Sequence, residues 1–229
     1  MNAPGYISSP PFEYELRRRN VRVHSGGLLA QGVLTGGAGR AILPPVHVCT
    51  AVGALGFAEA AEYDPTPTLF DDFWGRPWIV SAISQLAASV NPVDTDARFG
   101  IEIGSNNAAG ADPAAPAFGL VRLYCDVWQG LWMLYVAPGG GGPSSLVQLP
   151  AGFGGVGFNY KLMLAYTPGR VQAYINGILQ AEESAAAPVA GRPRNANIGA
   201  GVFVSSSNFA GDVTTADFGN VTVETIGQV

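Results

Sequence analysis

The stretch YKLMLAYTPGRVQAYINGILQA, residues 160–181, limits the possible folds more than any other part of the chain. From Lys161 to Tyr166 the large apolar residues Leu162, Leu164 and Tyr166 occupy every second position, the period of a strand with one buried face. Pro168 and Gly169 then make a turn. Val171, Ala173 and Ile175 resume the alternation, while Arg170, Gln172 and Tyr174 point the other way. Asn176 and Gly177 supply the two positive-φ residues that a tight hairpin requires. The segment reads as a β-meander, with Leu162, Leu164, Tyr166, Val171, Ala173 and Ile175 expected on one buried face.

At 229 residues the chain is long enough to bury a large core. Thirty-one glycines, seventeen prolines, only 13 % charged residues and many short apolar runs point to a turn-rich all-β sandwich rather than long helices. No apolar run approaches the length of a membrane span, so no membrane partner is expected. The start MNAPGYISSPPFEYELRRRN lacks the basic end and apolar core of an export signal, which gives the expectation of a soluble protein made in the cytoplasm.

A formal charge of −5 argues against a nucleic-acid partner, since phosphate binding needs a concentrated positive face. Arg17, Arg18, Arg19 and Arg22 interrupt the acidic balance. They read first as charge protecting an exposed edge strand from aggregation, and alternatively as a docking patch for an acidic partner surface. Cys49 and Cys125 are expected to be free thiols. Cys125 shares a face with Val121, Leu123 and Val127 and reads as a small buried hydrophobe. The sequon at Asn220 would matter only on a secretory route.

Composition divides the chain near residue 62 into an N-terminal extended arm or small β-subdomain, 1–62, and a main domain, 63–229. Within the first part NVRVH, GLLAQGVL and RAILP are short strand candidates, and GFAEAAEY is expected to make one or two helical turns. WIVSAISQLAASV fits both a helix face and a strand, and the strand is the reading taken. ARFGIEIGS, FGLVRLYCDVWQ and LWMLYVA follow as antiparallel strands, the last two hinged at Gln129 and Gly130. The four glycines 139–142 are not followed by Lys-Ser/Thr and a helix, so they read as a turn rather than a phosphate loop. ESAAAPVAGRPRNANIG reads as a long surface loop and DFGNVTVETI as a closing strand.

The order FDDFWG, ARFGIEIG, GLVRLYCDVWQGLWMLYV, YKLMLAYTPGRVQAYINGILQA and ADFGNVTVET resembles the concanavalin A-like lectin/glucanase jelly roll, in particular its laminin-G-like branch. The resemblance spans roughly residues 63–229 and implies a two-sheet antiparallel jelly-roll sandwich. Glucanases of this fold are similar in carrying two or three carboxylates at alternate positions on one strand, and no Glu-x-Asp-x-Glu occurs here. Glu102 stands alone on its strand, and Glu182 with Glu183 lies at a strand end. No catalytic residue and no cofactor is therefore expected. Asp94 and Asp96 could donate oxygens to calcium, as acidic loops do in some laminin-G-like domains, but two carboxylates fall short of the six to eight oxygens calcium takes. His24 and His47 have no nameable partners, so no metal site is expected either.

Three functional readings remain. The face of LVRLYCDVWQ opposite the core carries Arg122, Tyr124, Asp126 and Trp128, aromatic platforms and planar hydrogen-bonding groups suited to a surface glycan. The same residues would equally pack beneath the arm or against a neighbouring subunit. The arm itself, with Tyr6, Ile7, Phe12, Tyr14, Arg17, Arg18 and Arg19 as contacts, suggests attachment to other subunits. On sequence alone the expectation is a non-catalytic structural protein of a phage-type virion, a capsid decoration or tail-associated subunit. It would be made in the host cytoplasm, form a homo-oligomer and contact other virion subunits. A lectin-like glycan or receptor-binding module is the alternative, and a degenerate glycanase the third reading.

Overall fold

In the computed structural model the described residues are 21–25, 30–35, 39–43, 46–52, 58–64, 74–90, 97–105, 119–138, 142–184, 198–206 and 213–226. They form fifteen strands: β1 (Val21–Ser25), β2 (Ala30–Thr35), β3 (Gly39–Leu43), β4 (Val46–Val52), β5 (Ala58–Asp64), β6 (Trp78–Val90), β7 (Arg98–Ser105), β8 (Leu120–Asp126), β9 (Leu131–Ala137), β10 (Ser145–Gly152), β11 (Asn159–Thr167), β12 (Arg170–Ile175), β13 (Ile178–Glu183), β14 (Ile198–Ser206) and β15 (Val213–Ile226). One sheet runs β13-β12-β11-β6-β15-β4-β3, with β1 beside the second half of β15; the other runs β10-β9-β8-β7-β14-β5-β2. The protein is a two-sheet antiparallel jelly-roll sandwich, as the sequence led one to expect.

The meander sits in the first sheet. Leu162 faces Ile175, Leu164 faces Ala173 and Tyr166 faces Val171, and all six are buried in the core. Asn176 (φ 54°) and Gly177 (φ 79°) form the tight turn, and the Asn176 side-chain oxygen accepts the Lys161 N–H at 2.9 Å. The local turn chemistry thus fixes the register of three strands, and register decides which face is buried. β11 pairs in turn with β6, matching Leu164 with Val80 and Tyr166 with Trp78. The segment WIVSAISQLAASV is therefore a strand: Trp78, Val80, Ala82 and Leu86 enter the core, whereas Ile83, which a helical face would have buried, is exposed. Cys125 is a free, buried thiol among Val121 and Leu123, and burial pushes its pKa up. The side chain of Cys49 lies outside the described residues.

Several expectations are corrected. GFAEAAEY is not helical: residues 58–64 are β5, paired with β14 on one side and β2 on the other. Ala and Glu favour a helix locally, but two flanking strands override that weak preference. β5 runs through residue 62, and β1 to β4 pair within the same two sheets as the later strands. The closing strand begins earlier than DFGNVTVETI. β15 has 14 residues, lies between β6 and β4, and accommodates Asn220 (φ 49°) at a register shift between Gly219 and Thr222. β14 had no sequence counterpart. Its Ala200, Val202 and Val204 face the core, but Gly201 lies among them where a strand signal would need a side chain.

The core fills the space between the sheets, and its large rings tie them together. Trp132 of β9 meets Phe99 of β7 edge-on at 5.6 Å and Tyr160 of β11, from the opposite sheet, at 4.9 Å. At another point Tyr166 packs edge-on against Trp74 at 5.1 Å and donates its hydroxyl to the Trp74 carbonyl at 2.7 Å. Because Leu164 is completely buried between the sheets, Leu164→Ala is expected to cost roughly 2–5 kcal/mol. Urea unfolding measures this directly, and a loss below about 1 kcal/mol would contradict the register.

Candidate functional site

The face of the seven-stranded sheet that points away from the core is unusually polar. Alternation along β7, β8 and β14 places Arg98, Glu102, Arg122, Tyr124, Asp126 and Phe203 there, with Tyr135 of β9 beside them. All seven are buried. Arg122 Nε donates to Glu102 Oε2 at 2.6 Å, with both side chains about 1 % exposed. The Arg122 guanidinium also lies 4.6 Å over the Phe203 ring, and that of Arg98 lies 4.8 Å over Tyr124. Charges in such a layer persist only when each meets an opposite charge, a hydrogen-bond partner or an aromatic face.

Gly100 makes this arrangement possible. It stands between Tyr124 on β8 and Phe203 on β14, whose rings meet edge-on at 6.3 Å above it. A Cβ at that position would collide with the Leu123 carbonyl and come within 2.7 Å of the Tyr124 Cα.

The end of the sandwich beyond β8 is built differently. Residues 127–130 turn from β8 into β9, and Trp128 at their tip is 57 % exposed. The turn is held by the Gln129 N–H, which donates to Asp126 Oδ1 at 2.9 Å, and by the Val127 N–H, which donates to the Ala97 carbonyl at 2.8 Å. Beside it the β10–β11 loop, 153–158, exposes Val156 at 54 % and Phe158 at 58 %. The Gly157 N–H donates to the Leu86 carbonyl at 2.9 Å, the Gln85 amide donates to the Gly157 carbonyl at 2.6 Å, and the Gly154 N–H donates to the Tyr160 hydroxyl. Gly155 and Gly157 take φ of 94° and 85°, values a side chain would resist. The two loops adjoin where Gly130 faces the Phe153 ring.

Of the residues singled out in the sequence, Arg122, Tyr124 and Asp126 do share the face opposite the core, but they are buried; only Trp128, set beyond the strand end, is open to a ligand. Glu182 lies on edge strand β13, where Arg170 and the Gln172 amide (2.7 Å) donate to it and hold its carboxyl below the usual range. His24 and His47 lie on β1 and β4, opposite Val223 and Phe218 of β15. Tyr6, Ile7, Phe12, Tyr14, Arg17, Arg18, Arg19, Asp94 and Asp96 lie outside the described residues. Among the described residues no three His, Cys, Asp or Glu side chains gather to hold a metal. Phe158 and Val156 were not anticipated. They sit in a glycine-rich loop with no periodicity, so their only signal was an aromatic in a segment that should be polar.

No family model matches the chain, and no characterised protein matches it in sequence. Among solved structures it is similar to the carbohydrate-binding module CBM66 from Bacillus subtilis, with a TM-score of 0.50 and 12 % identity over 86 % of this chain and 95 % of that one. It is also similar to alginate lyase A1-II′, a member of polysaccharide lyase family 7, with a TM-score of 0.50 and 13 % identity over 80 % of this chain and 81 % of that one. At these identities the likeness is one of fold, the concanavalin A-like jelly roll, and fold alone does not carry function.

The buried pair makes a direct prediction. Arg122→Met removes the guanidinium that donates to the buried Glu102 carboxylate and is expected to cost about 3–5 kcal/mol, whereas Arg122→Met with Glu102→Gln should recover much of that loss. Urea unfolding of the two variants and the parent tests it. Equal losses in both would mean that the ion pair is incidental to the layer.

Proposed function

We propose that the protein is a carbohydrate-binding module that holds its glycan at the end of the sandwich where Trp128 stands. The observation that carries this reading is an indole more than half exposed on a turn that two hydrogen bonds make rigid. A large exposed aromatic held in this way offers a flat apolar face to the C–H groups of a sugar ring at little entropic cost. The same fold serves a carbohydrate-binding module and a polysaccharide lyase among its neighbours, which supports a glycan as the ligand class.

Among the described carboxylates of the outer face, spacing favours binding over hydrolysis. Glu102 lies opposite Arg122, and Asp126 is four residues further along β8. At about 3.3 Å per residue that separation is about 13 Å, beyond the roughly 5–9.5 Å that glycosidase carboxyl pairs keep. The virion reading has no support in the fold or the comparisons, and the arm that would carry it lies outside the described residues.

Affinity electrophoresis against a panel of soluble polysaccharides tests the proposal. Retardation by at least one glycan is expected, with Trp128→Ala weakening it about tenfold, Trp128→Phe preserving most of it, and no product released from the retained glycan. Absence of retardation across a broad panel would refute the module reading. Release of oligosaccharides would make the protein an enzyme.

A further inference from the structure

The second exposed aromatic at this end extends the site, and the composition around it names the ligand class. Phe158 is exposed, yet one side of its ring rests on the chain itself: a Cβ placed on Gly154 would lie 2.8 Å from both its Cγ and its Cδ1. The glycine thus forms a bare seat for the ring and leaves the other side to solvent. That seat is fixed, because the Gly154 N–H donates to the hydroxyl of Tyr160, whose ring is anchored in the core against Trp132. Val156 stands between the seat and the Gly157 anchor, on the loop that adjoins the Trp128 turn through Phe153 and Gly130.

The two loops themselves carry no charged side chain. Between Asp126 and Lys161 the sequence contains no Asp, Glu, Lys, Arg or His. The groups of β6 that meet the loop, Gln85 and the Leu86 carbonyl, are uncharged too. Polar groups near the aromatics are planar amides: Gln129 beside Trp128, and Asn159 beside Phe158, paired across strands with Gln85. A polyanion would need arginines or lysines here and would also meet a net charge of −5. A second copy of the chain is disfavoured by size. The three side chains expose on the order of 300 Å² together, against the roughly 800 Å² that each partner buries in an ordinary interface.

Resting on the glycan reading above, we infer that Trp128, Val156 and Phe158 form one stacking site for a neutral glycan, with sugar rings lying on both aromatic platforms and hydroxyls directed to the amides. Recognition of this kind involves no ion pair, so its strength is independent of salt.

The test uses the full chain and isothermal titration with two groups of probes: neutral oligosaccharides of glucose, mannose and xylose, and oligosaccharides of alginate and polygalacturonate. Expected are binding within the neutral group only, unchanged between low and high salt, and about tenfold weakening by Phe158→Ala and by Trp128→Ala separately. Phe158→Tyr should restore binding, Ile178→Ala on the exposed edge should leave it intact, and thermal melting confirms that each variant is folded. Binding that requires Trp128 but ignores Phe158, or that favours the acidic sugars and fades with salt, overturns this inference while leaving the module reading in place. Absence of all glycan binding overturns both. Binding to neutral phosphatidylcholine vesicles in place of sugars would reassign the patch to a lipid surface and likewise overturn both.

Discussion

Tyr160 is the residue on which the candidate site depends. Its ring is a core element, edge-on to Trp132 at 4.9 Å and stacked with Phe153 at 6.1 Å, while its hydroxyl accepts the Gly154 N–H. Burial pushes that hydroxyl's pKa up, and the donated N–H pulls against the shift. One side chain therefore links the inter-sheet core to the first residues of the loop that presents Val156 and Phe158. Trp132 joins the same junction two residues after the turn that presents Trp128, and Phe99 meets both Trp132 and Phe153. The exposed aromatics stand on loops, but these loops are braced against a close-packed interior, where movement costs far more than at an ordinary surface.

The outer face of the seven-stranded sheet follows a different logic. Its arginines lie against aromatic rings, and Arg122 also meets the Glu102 carboxylate, so the layer of Arg98, Tyr124, Phe203, Arg122 and Glu102 is interleaved rather than segregated by charge. Strand pairing dictates the interleaving. Opposite Gly100 stand Tyr124 and Phe203, and opposite Glu102 stands Arg122, so neighbours across the sheet alternate between ring-to-ring and charge-to-charge contacts. A layer packed in this way contributes specificity of register more than net stability, because the cost of desolvating the charges offsets much of their attraction. It fixes β7, β8 and β14 relative to one another and so sets the height at which β8 delivers the Trp128 turn.

What was legible in the sequence followed from period and turn chemistry. The strict alternation from Leu162 to Ile175 and the Asn176-Gly177 pair identify three strands, their faces and their turn because each signal is local. Strands stabilised mainly by neighbours were read less well. β5 carries Ala and Glu in a helix-like order and becomes a strand between β14 and β2, while β14 has a glycine at an outward position and is held between β5 and β7. The site was legible in part for the same reason. The alternation along β8 located Arg122, Tyr124 and Asp126 on the face opposite the core, but nothing local shows whether a face will be covered. Phe158 was invisible as a site residue because its role depends on a glycine four positions earlier and a tyrosine two positions later, in a segment without periodicity.

The uncharged stretch from 127 to 160 also poses a problem of its own, because it contains β10, an edge strand whose Leu146 is exposed. Edge strands are ordinarily protected by charge, and this one has none to offer. Its pairing with β9 is instead interrupted by a register shift between Gln148 and Gly152, with Pro150 inside the interval. A proline gives no N–H to an incoming strand and a bulge twists the edge away from a flat template, so protection is available without charge. That substitution is consistent with a region where charge is excluded for another purpose. An aromatic platform binds a neutral ring through contact and displaced water, and a nearby ion would hold its hydration shell at the rim of the site and weaken both effects. Uncharged edge, bare glycine seat and braced loops together leave Val156 and Phe158 exposed on a well-supported loop.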